Sequence, residues 1–391
     1  MGASTTTGRT RRSPGDIAVS VLFALLLLAP AVLALLGHAG FDTAFIEHTE
    51  LRRPFVAPAP TNGALATGGW ERDAEREIAD AFPLRRQLIE GYDRAKYSWL
   101  HDIASSHVLG GRDGWLFLGD EEQWYLTGEH RPTDADLARV AGLYAARARW
   151  CSDHGIAYVF LLVPNKSTVY ADELPADMRI ERPTPADRLL PLMRARGLSV
   201  VDMREELRAL ARAGAGRDLG EVYSRDDTHW TDVGAYAAYV RTVRALRSAG
   251  VREAKSLDSR QPRVVLGDGD LLKLAGISGL VQNRTVRYDY PHRAHEIPPP
   301  VYPNDPDAAA FSADAFILAD PSLPKAVVFG DSFTNVLAPF LAESFRRTVV
   351  LRHVSVTGLQ FDPHVLEAEK PQVVIQELAE RFFVFAPDFK P

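Results

Sequence analysis

Two short stretches carry side chains able to do covalent chemistry. In DDTHW (226–230), Asp227 and His229 stand two residues apart, just ahead of an amphipathic helix. In VFGDSF (328–333), Ser332 follows an apolar run and a glycine. A serine hydroxyl is a weak nucleophile until a base takes its proton, and an imidazole base needs a carboxylate to orient it. Gly330 permits a tight turn, so Ser332 should emerge at the carboxyl end of a buried strand, where reactive groups gather in open parallel sheets. The helix starting near Thr334 brings N–H groups and a favourable field for a developing oxyanion. Alone, each stretch reads more readily as a turn with a helix cap. Together, each at a strand-to-helix junction, they supply a nucleophile, a base and an orienting carboxylate for acyl transfer or ester hydrolysis. Asp226 competes with Asp227 for the orienting role.

The elements that must position these groups alternate. Helical spacing covers about 134–153, and AYVFLLV (Ala157–Val163) has the length and composition of a buried strand. A helix near 184–196 leads to LSVVDM (Leu198–Met203), followed by a helix from about 204. From Thr231 a further helix places Val233, Tyr236, Ala237, Val240, Val243 and Leu246 on one stripe. Later strands are expected at 325–330, 348–354 and 371–377. Strands apolar on both faces and separated by helices predict an α/β fold, a mostly parallel sheet with helices on both faces. Residues 71–106 read as mainly helical with a break at Pro83, and Gly114 supplies a turn before a short strand. The Pro- and Asp-rich region 252–322 interrupts the rhythm and is expected to be an insertion or cap.

The chain has 391 residues, a formal charge of −6 and 25% charged residues. Its length provides ample core, and the absence of a long basic run argues against a nucleic-acid partner. Ile17–Gly37 contains no charged residue and is long enough for a hydrocarbon core of roughly 30 Å. Arg9, Arg11 and Arg12 precede it, whereas Asp42, Glu47 and Glu50 follow. The positive-inside bias therefore predicts a cytoplasmic tail (1–16), a signal-anchor (17–37), a Pro/Ala/Gly-rich linker (38–70, a tether over 52–69) and an extracytoplasmic catalytic domain (71–391). Cleavage near Gly37-His38-Ala39, releasing a secreted or periplasmic protein, is the alternative. A cytosolic enzyme would require this uncharged segment to be an ordinary helix. Cys151, the single cysteine, falls at helical spacing among Leu143, Ala146 and Trp150 and is expected to be a buried, inert thiol.

DTHW followed by GDSF resembles the SGNH-hydrolase-like domains of the alginate O-acetyltransferase group, the AlgJ and AlgX proteins. The resemblance extends through FPLRRQL (82–88), VLGGRDGWLFLG (108–119), LVPNKSTVYADELP (162–175), LGDGDLLKLAGI (266–277) and VVIQELAERF (373–382), about residues 75 to 385. It implies a flavodoxin-like sheet and a triad of Asp227, His229 and Ser332, which favours Asp227 over Asp226. The Asp/His pair precedes the serine here, opposite to ordinary SGNH hydrolases, as a circular permutation would give. Two further strands, ending near Gly358 and Glu377, would then carry the other oxyanion-hole positions. Gly358 could donate a backbone N–H there. QELAER lacks the usual asparagine, so Gln376 or Arg381 would substitute, with Arg381 preferred for its charge.

Other residues invite weaker readings. Trp230 either packs beneath the His229 loop or stacks on a sugar ring. Asn165 and Lys166 follow the first sheet strand on its active edge and are candidates for substrate binding. His292 and His295 are spaced like metal ligands, yet no cysteine or acidic cluster frames them, so a surface loop and no metal are expected. Asp268 and Asp270 read as turn and helix-cap residues. The resemblance implies an O-acetyltransferase that acetylates an exported polysaccharide without a cofactor, its acetyl group relayed by a multi-pass membrane O-acyltransferase. An esterase using the same triad and a non-catalytic polysaccharide-binding subunit are the alternatives.

Overall fold

A computed structural model describes residues 13–59, 61, 67, 69–214, 221–257, 259–302, 311–353 and 361–389. The chain forms two compact units, Met1–His101 and Asp102–Pro391. The division lies at residues 101/102, whereas the composition shift used above lies at 70.

In the first unit, an apolar helix Pro14–Leu33 starts at a capping box between Ser13 and Asp16 and continues as a wider turn to His38. The stretch Pro14–His38 is long and apolar enough to cross a membrane. Helices Gly69–Asp80 and Arg85–Leu100 flank Pro83, as the sequence suggests. The tether expected from Arg52 onward is not free at its start. Arg52 Nη1 donates to Asp80 Oδ2 (2.7 Å), the Phe55 N–H donates to the same oxygen (2.8 Å), and Arg76 lies over the Phe55 ring (4.2 Å). The Arg52 bond, against burial, lowers the Asp80 pKa to about 2.

The second unit opens with a hairpin of β1 (Val108–Gly110) and β2 (Leu116–Leu118), with Gly114 at φ +78° in the turn. The alternation then appears as read. Helix Asp134–Asp153, begun by a Thr133/Asp136 capping box, precedes β3 (Ala157–Val163). Helix Pro185–Ala195 precedes β4 (Val200–Asp202), and helices Arg204–Gly214 and Asp232–Ser248 follow. The most buried face of the last of these is turned from the expected stripe: Ala235, Ala238, Tyr239 and Thr242 are buried with Val243 and Leu246, whereas Val233, Tyr236, Ala237 and Val240 are half-buried.

Region 252–322 is only partly an insertion. Its first half is an antiparallel hairpin, β5 (Gln261–Gly267) with β6 (Asn283–Asp289), bearing the short helix Asp270–Leu274. Its second half, β7 (His295–Ile297) and β8 (Phe311–Ile317), joins the main sheet. β9 (Lys325–Gly330), β10 (Arg347–His353) and β11 (Val373–Ala379) complete a seven-stranded sheet of order β4-β3-β11-β9-β10-β8-β7. The five strands from β4 to β10 are parallel, and β8 and β7 add antiparallel pairs at one side. Both edge strands are three residues long. β3 and β11 read as apolar runs because both their faces are buried; Tyr144 of the helix before β3 meets Phe160 edge-on at 4.8 Å. β11 runs two residues past Glu377, so Gln376 and Glu377 lie inside a fully buried strand and not at its end.

Candidate active site

Ser332 stands directly after β9, in the turn before helix Thr334–Ala342. The turn is locked from below. Asp331 Oδ1 accepts the Phe333 N–H (2.9 Å) and Oδ2 accepts the Ala379 N–H at the end of β11 (2.8 Å). Glu377 Oε2 accepts the Asp331 N–H (2.9 Å). Burial first, and then the adjacent Asp331 carboxylate, push the Glu377 pKa well up, so Glu377 favours its neutral acid form. A Cβ at Gly330 would meet Glu377 Oε2 and Thr334 Cγ2 at 2.5 Å each, so only glycine fits there. The Ser332 N–H makes no hydrogen bond with another described residue, which leaves it available to an incoming oxyanion.

His229 arrives on an irregular loop. Its Nε2 lies 2.9 Å from Ser332 Oγ and its Nδ1 2.8 Å from Asp227 Oδ1. Burial opposes ionisation of Asp227, but the hydrogen bond and charge of His229, with N–H groups of His229 and Asp270, prevail and lower its pKa to about 2. The ionised carboxylate accepts from Nδ1–H, which leaves Nε2 to accept the serine proton. Asp226 is turned away from the imidazole: its buried carboxylate accepts from Ser224 Oγ (3.2 Å) and the Gly269 N–H (3.1 Å).

The loop is held by residues remote in sequence. Lys166 Nζ donates to the carbonyls of Ser224 (3.0 Å), Arg225 (3.2 Å) and Asp227 (2.7 Å). Burial lowers its pKa to about 8 despite the surrounding carboxylates. Lys166 is 1% exposed, Asn165 0% and Trp230 2%, so none of the three presents a face to substrate; this overturns the binding expectation for Asn165 and Lys166 and agrees with the packing reading of Trp230. They position instead. Asn165 Oδ1 accepts the Arg381 N–H (2.9 Å), and Trp230 Nε1 donates to the Phe333 carbonyl (3.1 Å), bridging the base loop to the nucleophile turn.

The sequence reading took Asp270 for a turn or helix-cap residue and missed its place beside the triad. Its N–H donates to Asp227 Oδ2 (3.2 Å), its Oδ1 accepts the Thr228 N–H (2.7 Å), and its Oδ2 accepts from the Thr228 hydroxyl and lies 3.5 Å from His229 Nδ1. Asp268 is the turn residue expected, accepting from Ser278 Oγ and the Gly279 N–H (2.7 Å each). The nearest sequence signal is Gly269, where a Cβ would stand 2.0 Å from the Asp226 carbonyl oxygen: the glycine marks a close approach of two chain segments. Asp227, His229 and Asp270 offer ligand atoms within 4.8 Å of one another and could hold a cation. The same His229 and Asp227 atoms, however, already form the relay to Ser332. His292 and His295 are exposed.

For the oxyanion hole, Gly358 lies outside the described residues. Arg381 is buried, with its guanidinium over the rings of Phe333 (5.3 Å) and Phe382 (4.8 Å). That guanidinium makes no hydrogen bond or ion pair with another described residue. Gln376 is excluded: it is buried in β11 and its Oε1 accepts from Arg147 Nη1 (3.3 Å). Cys151 is buried, and burial pushes its thiol up to about 12, as expected of an inert cysteine.

A family-level profile described as "SGNH hydrolase-like domain, acetyltransferase AlgX" matches residues 108–380. The chain is 27% identical over 178 residues to a "Probable alginate O-acetylase AlgJ" of Pseudomonas syringae pv. tomato, a match covering 44% of this chain and 42% of that relative. It is likewise 27% identical over 346 residues to a protein of the same description from Pseudomonas putida, covering 83% of this chain and 82% of the relative. Among solved structures, Bacillus cereus PatB1 superposes with a TM-score of 0.52 at 14% identity, covering 71% of this chain and 96% of that one. At that identity the likeness shows the fold.

Proposed function

Because the chain belongs to the family of SGNH-hydrolase-like domains of the acetyltransferase AlgX, we propose that it is an extracytoplasmic O-acetyltransferase acting on an exported polysaccharide through an acetyl-Ser332 intermediate. The observation that carries this reading is the continuous relay from Asp227 through His229 to Ser332, with contacts of 2.8 and 2.9 Å. As Ser332 Oγ attacks the acetyl carbonyl of an oxygen or sulfur ester, its proton passes to His229 Nε2 and then to the departing group. The Ser332 N–H and the Arg381 guanidinium stabilise the tetrahedral oxyanion, with Gly358 as a further donor. A saccharide hydroxyl then gives its proton to Nε2 while its oxygen bonds the acetyl carbon. The Ser332 Oγ–carbon bond breaks, and Oγ recovers the proton from His229. No electrons change hands, and the cycle needs no cofactor. The likeness to probable alginate O-acetylases supports acetyl transfer to a polysaccharide hydroxyl over simple hydrolysis.

The apolar stretch Pro14–His38 and the charges flanking it support residues 17–37 as an anchor, with the tail 1–16 cytoplasmic and the catalytic unit outside. An acetyl group leaving the cytoplasm would reach Ser332 through a multi-pass membrane acyltransferase. Full-length protein in detergent, incubated with an activated acetyl ester and followed by intact mass, is expected to gain one acetyl group that Ser332→Ala abolishes. Discharge to oligosaccharide faster than to water supports the transferase. Equal release of acetate with and without acceptor would make it an esterase, and the absence of any adduct would favour a binding subunit.

A further inference from the structure

Beside His229 lies a cleft of about 390 Å³, walled by the β5–β6 hairpin, the loop 224–230 and the start of helix Thr334–Ala342. Its size falls within the range of small-ligand sites. If acetyl transfer runs as proposed above, the acceptor hydroxyl must reach His229 Nε2, because that nitrogen removes its proton. The cleft is lined by His229 and by Asn335 and Val336 of the helix that follows Ser332, so it adjoins the place an acceptor has to occupy. Arg381 does not line it, and belongs to the face bearing Phe333 and Phe382.

The lining has a definite chemistry. Asn283 and Thr285, two apart on β6, point to the same face, and Asn335 opposes them from the helix. None of these three side chains hydrogen-bonds to another described residue, and amide and hydroxyl groups can both donate and accept. Val265, paired with Thr285 across the hairpin and so on the same face, offers an apolar surface at the cleft for the C–H face of a ring. The charged lining is acidic: Asp227 and Asp268, with Asp226 buried behind them, against Arg287, the single arginine or lysine of the described lining. Arg287 is already engaged, its Nη1 donating to Asp232 Oδ1 at 2.9 Å. Lys273 acts on the Asp268 carboxylate but does not line the cleft. Asp270, 3.5 Å from His229 Nδ1, adds a further carboxylate at the cleft's edge.

We infer that this cleft is the acceptor site and that it takes an uncharged pyranose residue, excluding a uronic acid. Hydroxyl groups find unpartnered amide and hydroxyl groups, whereas a sugar carboxylate meets carboxylates and, in the described lining, no cation without a carboxylate partner. The inference rests on the acyl-transfer reading for its catalytic meaning, and its binding content can be measured without turnover. Full-length Ser332→Ala protein in detergent would be titrated, by ligand-observed NMR, with oligosaccharides of equal length: a neutral glucan, an N-acetylglucosamine oligomer and an oligouronate. The two uncharged oligomers separate a plain hexose from an N-acetylhexosamine. At least one is expected to bind ten-fold or more tightly than the oligouronate, with that binding weakened at least ten-fold by Asn283→Ala with Thr285→Ala. In a parallel arm, discharge of acetyl-Ser332 in the otherwise unaltered protein should be accelerated by the same uncharged oligomer and not by the oligouronate. Preferred binding of the oligouronate, or binding of all three unchanged by the double substitution, overturns the inference. A failure of acylation with the binding preference intact would sink the transferase reading and leave the uncharged-sugar site standing.

Discussion

The turn that presents Ser332 and the loop that presents His229 meet at 2.9 Å by different means. The nucleophile turn grows out of the middle of the sheet. β9 is flanked by β11 and β10, and the carboxylates of Asp331 and Glu377 tie the turn to its own backbone and to that of β11. The base loop has one isolated bridge, Tyr223 with Trp230, and backbone bonds from the Leu116 N–H to the Arg225 carbonyl (2.8 Å) and from the Leu271 N–H to the Asp226 carbonyl (3.1 Å); the rest of its support is side chains that reach in, Lys166 from the end of β3, Asp270 from the hairpin, and Thr228 between them. Sheet register fixes one half, and hydrogen bonds across long sequence separations fix the other. The nucleophile half should therefore yield mostly in stability when disturbed, and the base half mostly in rate.

The sharpest test of the relay itself is Asp227→Asn, which leaves the shape intact and allows the wrong imidazole tautomer. Acyl transfer is expected to fall about 10⁴-fold, with little change in the unfolding midpoint. Next come two glycines. Gly269→Ala drives a Cβ to 2.0 Å from the Asp226 carbonyl oxygen, so the loop must move. A displacement near 1 Å can cost about 10²-fold in rate, and kcat is the quantity expected to collapse. Gly330→Ala meets Glu377 and Thr334 at 2.5 Å and should cost about 1–3 kcal/mol of stability, read as a lower denaturation midpoint. If Gly330→Ala lost rate without stability while Gly269→Ala did the reverse, the contrast between the halves would be wrong. Lys166→Met strands three carbonyls and is expected to lower both Tm and kcat, by about 1–3 kcal/mol in stability.

Acidity separates the halves more gently. Asp227 is ionised more readily in the folded protein, with its pKa lowered to about 2 from 3.8, so its contribution to stability is present above about pH 4 and lost as pH falls toward 2. Glu377 has the opposite sign. Its folded pKa is raised above 4.5, so its contribution is full below that value and declines as pH rises toward the folded value. Glu377→Gln, a fixed mimic of the neutral acid, should gain stability over the parent at pH 8 compared with pH 4, as followed by thermal denaturation at both pH values. The smallest effect is expected at Cys151, far from either half. Cys151→Ala should leave the transfer rate within about twofold, and the native thiol should resist alkylation at pH 8.

The nucleophile half was the more legible in sequence, because its position follows from local pattern. KAVVFG reads as a buried strand, Gly330 as a turn and Thr334 as a helix start, and β9 and its helix begin and end there. DTHW was legible as a motif, but its supports were not. Lys166 and Asn165 lie just after an apolar strand at the active edge, where polar residues suggest ligand contacts. Only the tertiary structure shows that the base loop folds over them and covers them. Asp270 lies 43 residues from Asp227 and inside a region whose composition suggested a separate cap; no periodicity links the two. The Pro- and Asp-rich character of 252–322 obscured β7 and β8, which are antiparallel additions at the side of the sheet and lack the long apolar run of a central strand.

The brevity of β4 and β7 has a consequence for handling the protein. A sheet of seven strands has two rims where unpaired amides and carbonyls invite another chain, yet each rim here is a strand of three residues. The purified catalytic unit should therefore resist edge-to-edge aggregation, and lengthening β7 with alternating valines and threonines would be expected to remove that protection.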